Sequence, residues 1–246
     1  MTSRRNFLLK SIPLTLLAAG CAGSFSNGPR NNFAPNSVAV LGVVQKQGLE
    51  VPISEYRLAN DLEKLLRDNH SYTVMPLVEA RNQMGAERHE ILLKRVAGNG
   101  SLDREDTRML RQMNFPVGTG VILALIGNEQ EKLEPERLAL RDNSGKVLTD
   151  REHVVLSTLR SVSLTATLVD LATERVQMHN EFNYESIERK RYVQYSSGAS
   201  FGSTVAARLA NTVTNGLSKP DWPEAPGLYD SFYELLTDVA AELPVS

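Results

Sequence analysis

The chain has 246 residues, and 27 basic against 29 acidic side chains leave a net charge of −2. That balance gives the whole chain no electrostatic footprint for nucleic acid or anionic lipid, and a hydrophobic content of 41% is ordinary for a folded globular protein. The single cysteine excludes an internal disulfide and a cysteine-built metal site.

In chain order, Arg4, Arg5 and Lys10 precede a short apolar run, Ile12 to Ala19. A transmembrane helix needs about 20 apolar residues, and this run is far shorter. Leu17-Ala18-Ala19-Gly20-Cys21 closes it and resembles the lipobox of bacterial lipoproteins. Small residues there fit the signal peptidase, and the thiol accepts a diacylglyceryl group. Residues 1–20 are thus expected to be an export signal, with Cys21 the lipidated first residue of the mature protein. Ser3-Arg4-Arg5-Asn6-Phe7-Leu8-Leu9-Lys10 resembles the twin-arginine export motif, carried by Arg4, Arg5, Phe7 and Lys10, with one extra leucine before the lysine. Alanine at position 22, where aspartate would resemble an inner-membrane retention signal, points to the periplasmic face of the outer membrane. Removing the three cations of the signal leaves a net charge of −5. Residues 21–36, rich in Ser, Asn, Gly and Pro, read as a flexible tether reaching about 50 Å at most.

Residues 37–246 read as one α/β domain. Ser37 to Val44 is a Val-rich run expected as a buried strand. Ser54 caps a helix to about Asp68, with Leu58, Leu62, Leu65 and Leu66 on one face. Tyr72 to Pro76 is a short strand. Residues 77–96 read as one helix, broken by Gly98-Asn-Gly100. Asp103 caps a further helix through Asn114, and Gly120 to Ile126 is a third buried strand. Residues 127–152 are polar and charged, an expected excursion or small hairpin outside the core. Val162, Leu164, Ala166 and Leu168 alternate with Ser and Thr, the pattern of a strand with one buried and one wet face. The chain turns at Asp170 to Glu174, and Val176, Met178, Phe182 and Tyr184 are expected on one face of the returning strand. Residues 203–217 can form a helix, and Leu228 to Leu243 has the spacing of a final amphipathic helix.

The order of elements resembles a superfamily of envelope proteins. It includes the curli-secretion lipoprotein, the lipoprotein activators of penicillin-binding proteins and the N-terminal domain of TolB. The resemblance rests on Val38 to Leu41, Leu110 to Leu123, Val162 to Glu174 and Phe232 to Leu236. Leu168-Val-Asp-Leu-Ala-Thr-Glu-Arg-Val176 keeps the family's hairpin frame but has Glu174 where the family usually has glycine. The resemblance implies a mixed sheet with a long antiparallel hairpin packed against helices, of the anticodon-binding-domain kind. It also implies a non-enzymatic accessory or assembly role in envelope biogenesis or secretion, with self-association into a homo-oligomer.

Several residues could carry chemistry. Gly198-Ala-Ser200-Phe-Gly202 matches the hydrolase nucleophile elbow, making Ser200 the candidate for a periplasmic serine hydrolase. That chemistry needs a histidine downstream in the α/β-hydrolase order, and the last one is His179. His70, His89, His153 and His179 stand at no metal-ligand spacing. Gly98-Asn-Gly100 and Gly118-Thr-Gly120 lack the strand-to-helix setting of a phosphate loop. Glu129, Glu131, Glu134 and Glu136 read as loop solvation. A glycan- or peptidoglycan-binding module would use exposed aromatics, for which Trp222 and a few tyrosines are on offer. No cofactor is expected. The stretch most suited to a protein partner is Arg189, Lys190, Arg191, Tyr192 and Tyr195, because Arg and Tyr are common interface anchors. The competing reading is an edge strand guarded by its charges.

Overall fold

The computed structural model describes residues 35–195 and 222–243. Five strands form one mixed sheet in the order β2-β1-β3-β4-β5. They are β1 (Ser37–Gln45), β2 (Thr73–Met75), β3 (Thr119–Arg141), β4 (Val147–Asp170) and β5 (Arg175–Tyr195). β1 runs parallel to both β2 and β3, and β3, β4 and β5 are antiparallel. Because β1 is covered on both faces it is apolar at nearly every position, which is why its sequence does not alternate.

Helices cover the sheet on both sides. α1 (Glu55–Asn69) and the C-terminal helix α5 (Leu228–Glu242) pack on one face. There Leu58, Leu62, Phe232 and Leu236 meet Val38, Ile122, Leu164 and Phe182. On the other face α2 (Leu77–Met84), α3 (Ala86–Asn99) and α4 (Arg104–Arg111) bury Leu92, Val96 and Leu110 against Leu41, Leu123 and Val169. α1 and α5 are clasped at both ends. The Tyr229 hydroxyl donates to Asp61 at 2.7 Å beneath the Arg57 guanidinium, and His70 Nε2 donates to the Ala240 carbonyl at 2.6 Å. Among the described residues no helix is long and apolar enough to cross a membrane.

Several expectations change in detail. The segment 77–96 is two helices, because the chain turns at Gly85 with φ +82°. Asp103 does cap α4, in a reciprocal box with Asp106, but that helix ends at Arg111. Residues 127–152 form a hairpin, longer than a small one. Its strands are the outer parts of β3 and β4, continuous with the core strands, joined by a turn at 142–146. Polar residues suit the outer part of β3 because β1 stops opposite Ile126, and beyond it β3 is half-buried to exposed. A bulge at Gly127 marks the exit: it is the extra residue between the Ile126 and Asn128 pairings, and a Cβ there would lie 2.9 Å from Ser163 Oγ. Val176 does not share the face of Met178 and Phe182. A second bulge at the start of β5 pairs Val176 with Val169 and Met178 with Leu168, which sends Val176 to the other side, 54% exposed. The helix expected at 203–217 lies outside the described residues.

Candidate functional site

Beyond Ile126 the outer parts of β3, β4 and β5 continue as a three-stranded arm. From Gly127 to Arg141 it extends roughly 45 Å at the usual rise of a strand. Its tip is a tight turn built on Asp142, whose Oδ1 accepts from the Ser144 and Lys146 amides and the Ser144 hydroxyl at 2.6–3.0 Å. Those hydrogen bonds hold the Asp142 carboxyl below its usual range, the Ser144 hydroxyl contributing most.

At its base the arm is strapped to the segment leading into α5. Arg160 is the hub. Its Nε donates to the Pro226 carbonyl at 2.7 Å, and its Nη1 and Nη2 meet Glu129 and Glu131 at 2.5 and 3.5 Å. Thr158 Oγ1 donates to the Pro223 carbonyl at 2.8 Å. Two of the four glutamates read as loop solvation thus anchor the arm. Farther out, β4 lies between two strands and buries Val154, Val155 and Leu156.

β5 is the edge strand of the described sheet, and the candidate partner-binding residues lie on its outer part. Arg189, Lys190 and Arg191 pair in register with Ser157, Leu156 and Val155, and all three are exposed. The backbone of Tyr192 stands opposite Val154 and that of Tyr195 opposite Arg151. Strand alternation puts Arg189 and Arg191 on one face of the arm and Lys190 on the other. Nearer the core, a groove of about 410 Å³ separates β5 from the start of α5, lined by Tyr184, Ser186, Glu188, Asp230 and Glu234. The edge is therefore acidic beside the core and basic farther along the arm. The acidic groove escaped sequence reasoning because it joins residues about 45 positions apart in the chain, as in the Ser186–Ser231 contact.

A second hollow, an apolar cleft of about 420 Å³, is lined by Tyr56 of α1, Leu77, Val78 and Arg81 of α2, and His89 and Leu93 of α3. Its one signal in the sequence is Tyr56 and Val78 standing off the buried stripes of their helices. His89 Nε2 donates to the Leu41 carbonyl at 2.7 Å, at the residue where β1 bulges. Burial pushes the imidazole below its ordinary range, with the nearby Arg81 charge acting in the same direction.

The other histidines are dispersed. His70 serves the α1–α5 clasp, exposed His179 shares a hydrogen bond with Thr167, and His153 lies on the arm. Among the described residues no three His, Cys, Asp or Glu gather as metal ligands would. Gly118, weighed as part of a phosphate loop, instead makes room for the chain entering the domain. A Cβ there would meet Asn36 Nδ2 at 2.8 Å, and the Gly118 carbonyl accepts from the Asn36 amide. Arg4, Arg5, Phe7, Lys10, Cys21 and Ser200 lie outside the described residues.

The fold defines a class, an α/β protein with a long antiparallel hairpin carried by a helix-covered mixed sheet. No protein family matches the chain, and no curated protein does. Solved structures with a similar course include a PelC dodecamer from Paraburkholderia phytofirmans, at 12% identity and a TM-score of 0.37, covering 90% of this chain and 96% of that one. The hypothetical protein CT253 from Chlamydia trachomatis is 14% identical with a TM-score of 0.34, over 85% of this chain and 97% of that one. Lipoprotein GNA1162 from Neisseria meningitidis is 16% identical with a TM-score of 0.28, over 74% of this chain and 99% of that one. At those identities and scores the likenesses carry no argument about function.

Proposed function

We propose that this chain is a lipoprotein anchored through Cys21 to the periplasmic face of the outer membrane, and that it acts without catalysis. It serves as an accessory or assembly factor in envelope biogenesis or secretion by binding a protein partner. The observation that carries the reading is the arm. A three-stranded ribbon leaves the core, is strapped down by Arg160 and Thr158, and displays Arg189, Lys190 and Arg191 on its edge strand. Charges on an edge strand also guard against aggregation. Guarding alone does not call for a strapped ribbon of this length. The motif at residues 1–21 supports the anchor, and the order of elements supports kinship with the curli-secretion and synthase-activator lipoproteins.

The test is in-cell crosslinking of the protein carrying Arg189→Glu, Lys190→Glu and Arg191→Glu together. The side chains are exposed, so the variant is expected to fold and reach the membrane, and to lose at least about 90% of the captured partner, in keeping with charged anchors at an interface. Ser200→Ala is expected to capture as much as the parent. Undiminished capture by the triple variant would sink the arm as the binding surface.

A further inference from the structure

The end of the domain opposite the arm tip has its own chemistry. Asn36, the residue into which the tether leads, donates its amide to the Gly118 carbonyl at 3.1 Å. Val117, directly beside it, is 94% exposed. It is not on a loose loop: the Pro116 carbonyl accepts from both the amide and the hydroxyl of Thr119, at 3.2 and 2.7 Å, and Phe115 packs back on the core. The β4–β5 turn reaches the same end, where the Leu171 amide donates to the Thr119 carbonyl at 3.3 Å.

Arginines stand on the elements that lead to this tip. Arg88 Nη1 lies 4.0 Å from Met113 Sδ, Arg111 pairs with Glu174 of the turn, and Arg108 stands on α4 one turn before Gln112. Arg175 follows Glu174, and Arg88, Arg108, Arg111 and Arg175 are all exposed. One exposed valine is ordinary on a protein surface. A rigidly projected one, with exposed arginines on the neighbouring elements, has the composition of a membrane-interface contact, with an apolar residue in the acyl boundary and guanidinium groups at the phosphates.

We propose that the Phe115-Pro116-Val117 tip rests on the lipid surface to which the protein is tethered, so that the arm projects away from that membrane. The proposal builds on the reading of Cys21 as the anchor. At most about 50 Å of chain separates Cys21 from Asn36, and it enters the domain beside Val117. The tether therefore delivers this end to the bilayer first, and the arginines hold it there.

Because Cys21 is the only cysteine, lipidation leaves Val117→Cys or Gly145→Cys with one free thiol for an environment-sensitive fluorophore. The lipidated protein is placed on vesicles of phosphatidylethanolamine and phosphatidylglycerol containing spin-labelled lipid. Position 117 is expected to be quenched at least about threefold more than position 145 at the arm tip, as an interfacial side chain would be. Equal quenching at the two positions, or more at 145, overturns the orientation. Failure of the anchor reads separately, as a second reactive thiol at Cys21. In that case the same probes with excess phosphatidylglycerol vesicles still decide whether the tip touches lipid.

Discussion

Single residues show how the turns and bulges fit their surroundings. Glu174 has φ +57°, a left-handed conformation that costs a side chain roughly 1 kcal/mol and that glycine adopts freely. Here that conformation is held by a residue whose carboxylate reaches Arg111. His89 carries a pH dependence near neutrality. Its neutral form donates to Leu41, and burial holds its pKa below the unfolded value. The unfolded chain then binds the extra proton as pH falls through about 6.5, so stability is full above that pH and declines below it. Thermal unfolding is expected to show a lower Tm at pH 5.5 than at 7.5. Part of that difference should vanish in His89→Gln, whose amide can still donate to the carbonyl. An identical pH profile in parent and variant would remove His89 as a source of the dependence.

At the scale of elements, the arm depends on its base. Arg160→Ala leaves Glu129 and Glu131 without their shared cation and the Pro226 carbonyl without its donor. The expected cost is about 2–3 kcal/mol in urea unfolding, as for a largely buried charge stripped of its partner. A cost near zero would show that the strap does not hold the arm. Elements of the core were legible wherever periodicity follows burial. The capped start of α1, the Ser/Thr alternation of β4 and the apolar stripe of α5 are all found close to where their spacing placed them. What escaped is what burial does not pattern. The outer half of β3 is charged and half-buried to exposed where it pairs with β4 alone, so its composition is that of a loop. Val176 falls on the face opposite to the expected one because a bulge resets the alternation without leaving a mark in residue type. The basic part of the candidate surface could be read as a run, Arg189 to Arg191, while the acidic groove beside it exists only when β5 meets α5.

The whole molecule has two distinct ends along the sheet. At one, Asn36 enters the domain beside the exposed Val117; at the other, an arm carries basic residues on its edge strand. That polarity suits the proposed anchored adaptor, with one end for the membrane and the other for a partner held above it. The measurement that bears most directly on this is crosslinking in cells followed by mass spectrometry, comparing the native protein with Cys21→Ser. The expected result is one envelope protein captured by the lipidated form, with capture lost or reduced at least about tenfold when the anchor is removed and local concentration falls. Equal capture by both forms would contradict the role of the anchor, and no specific protein captured by either would contradict partner binding itself.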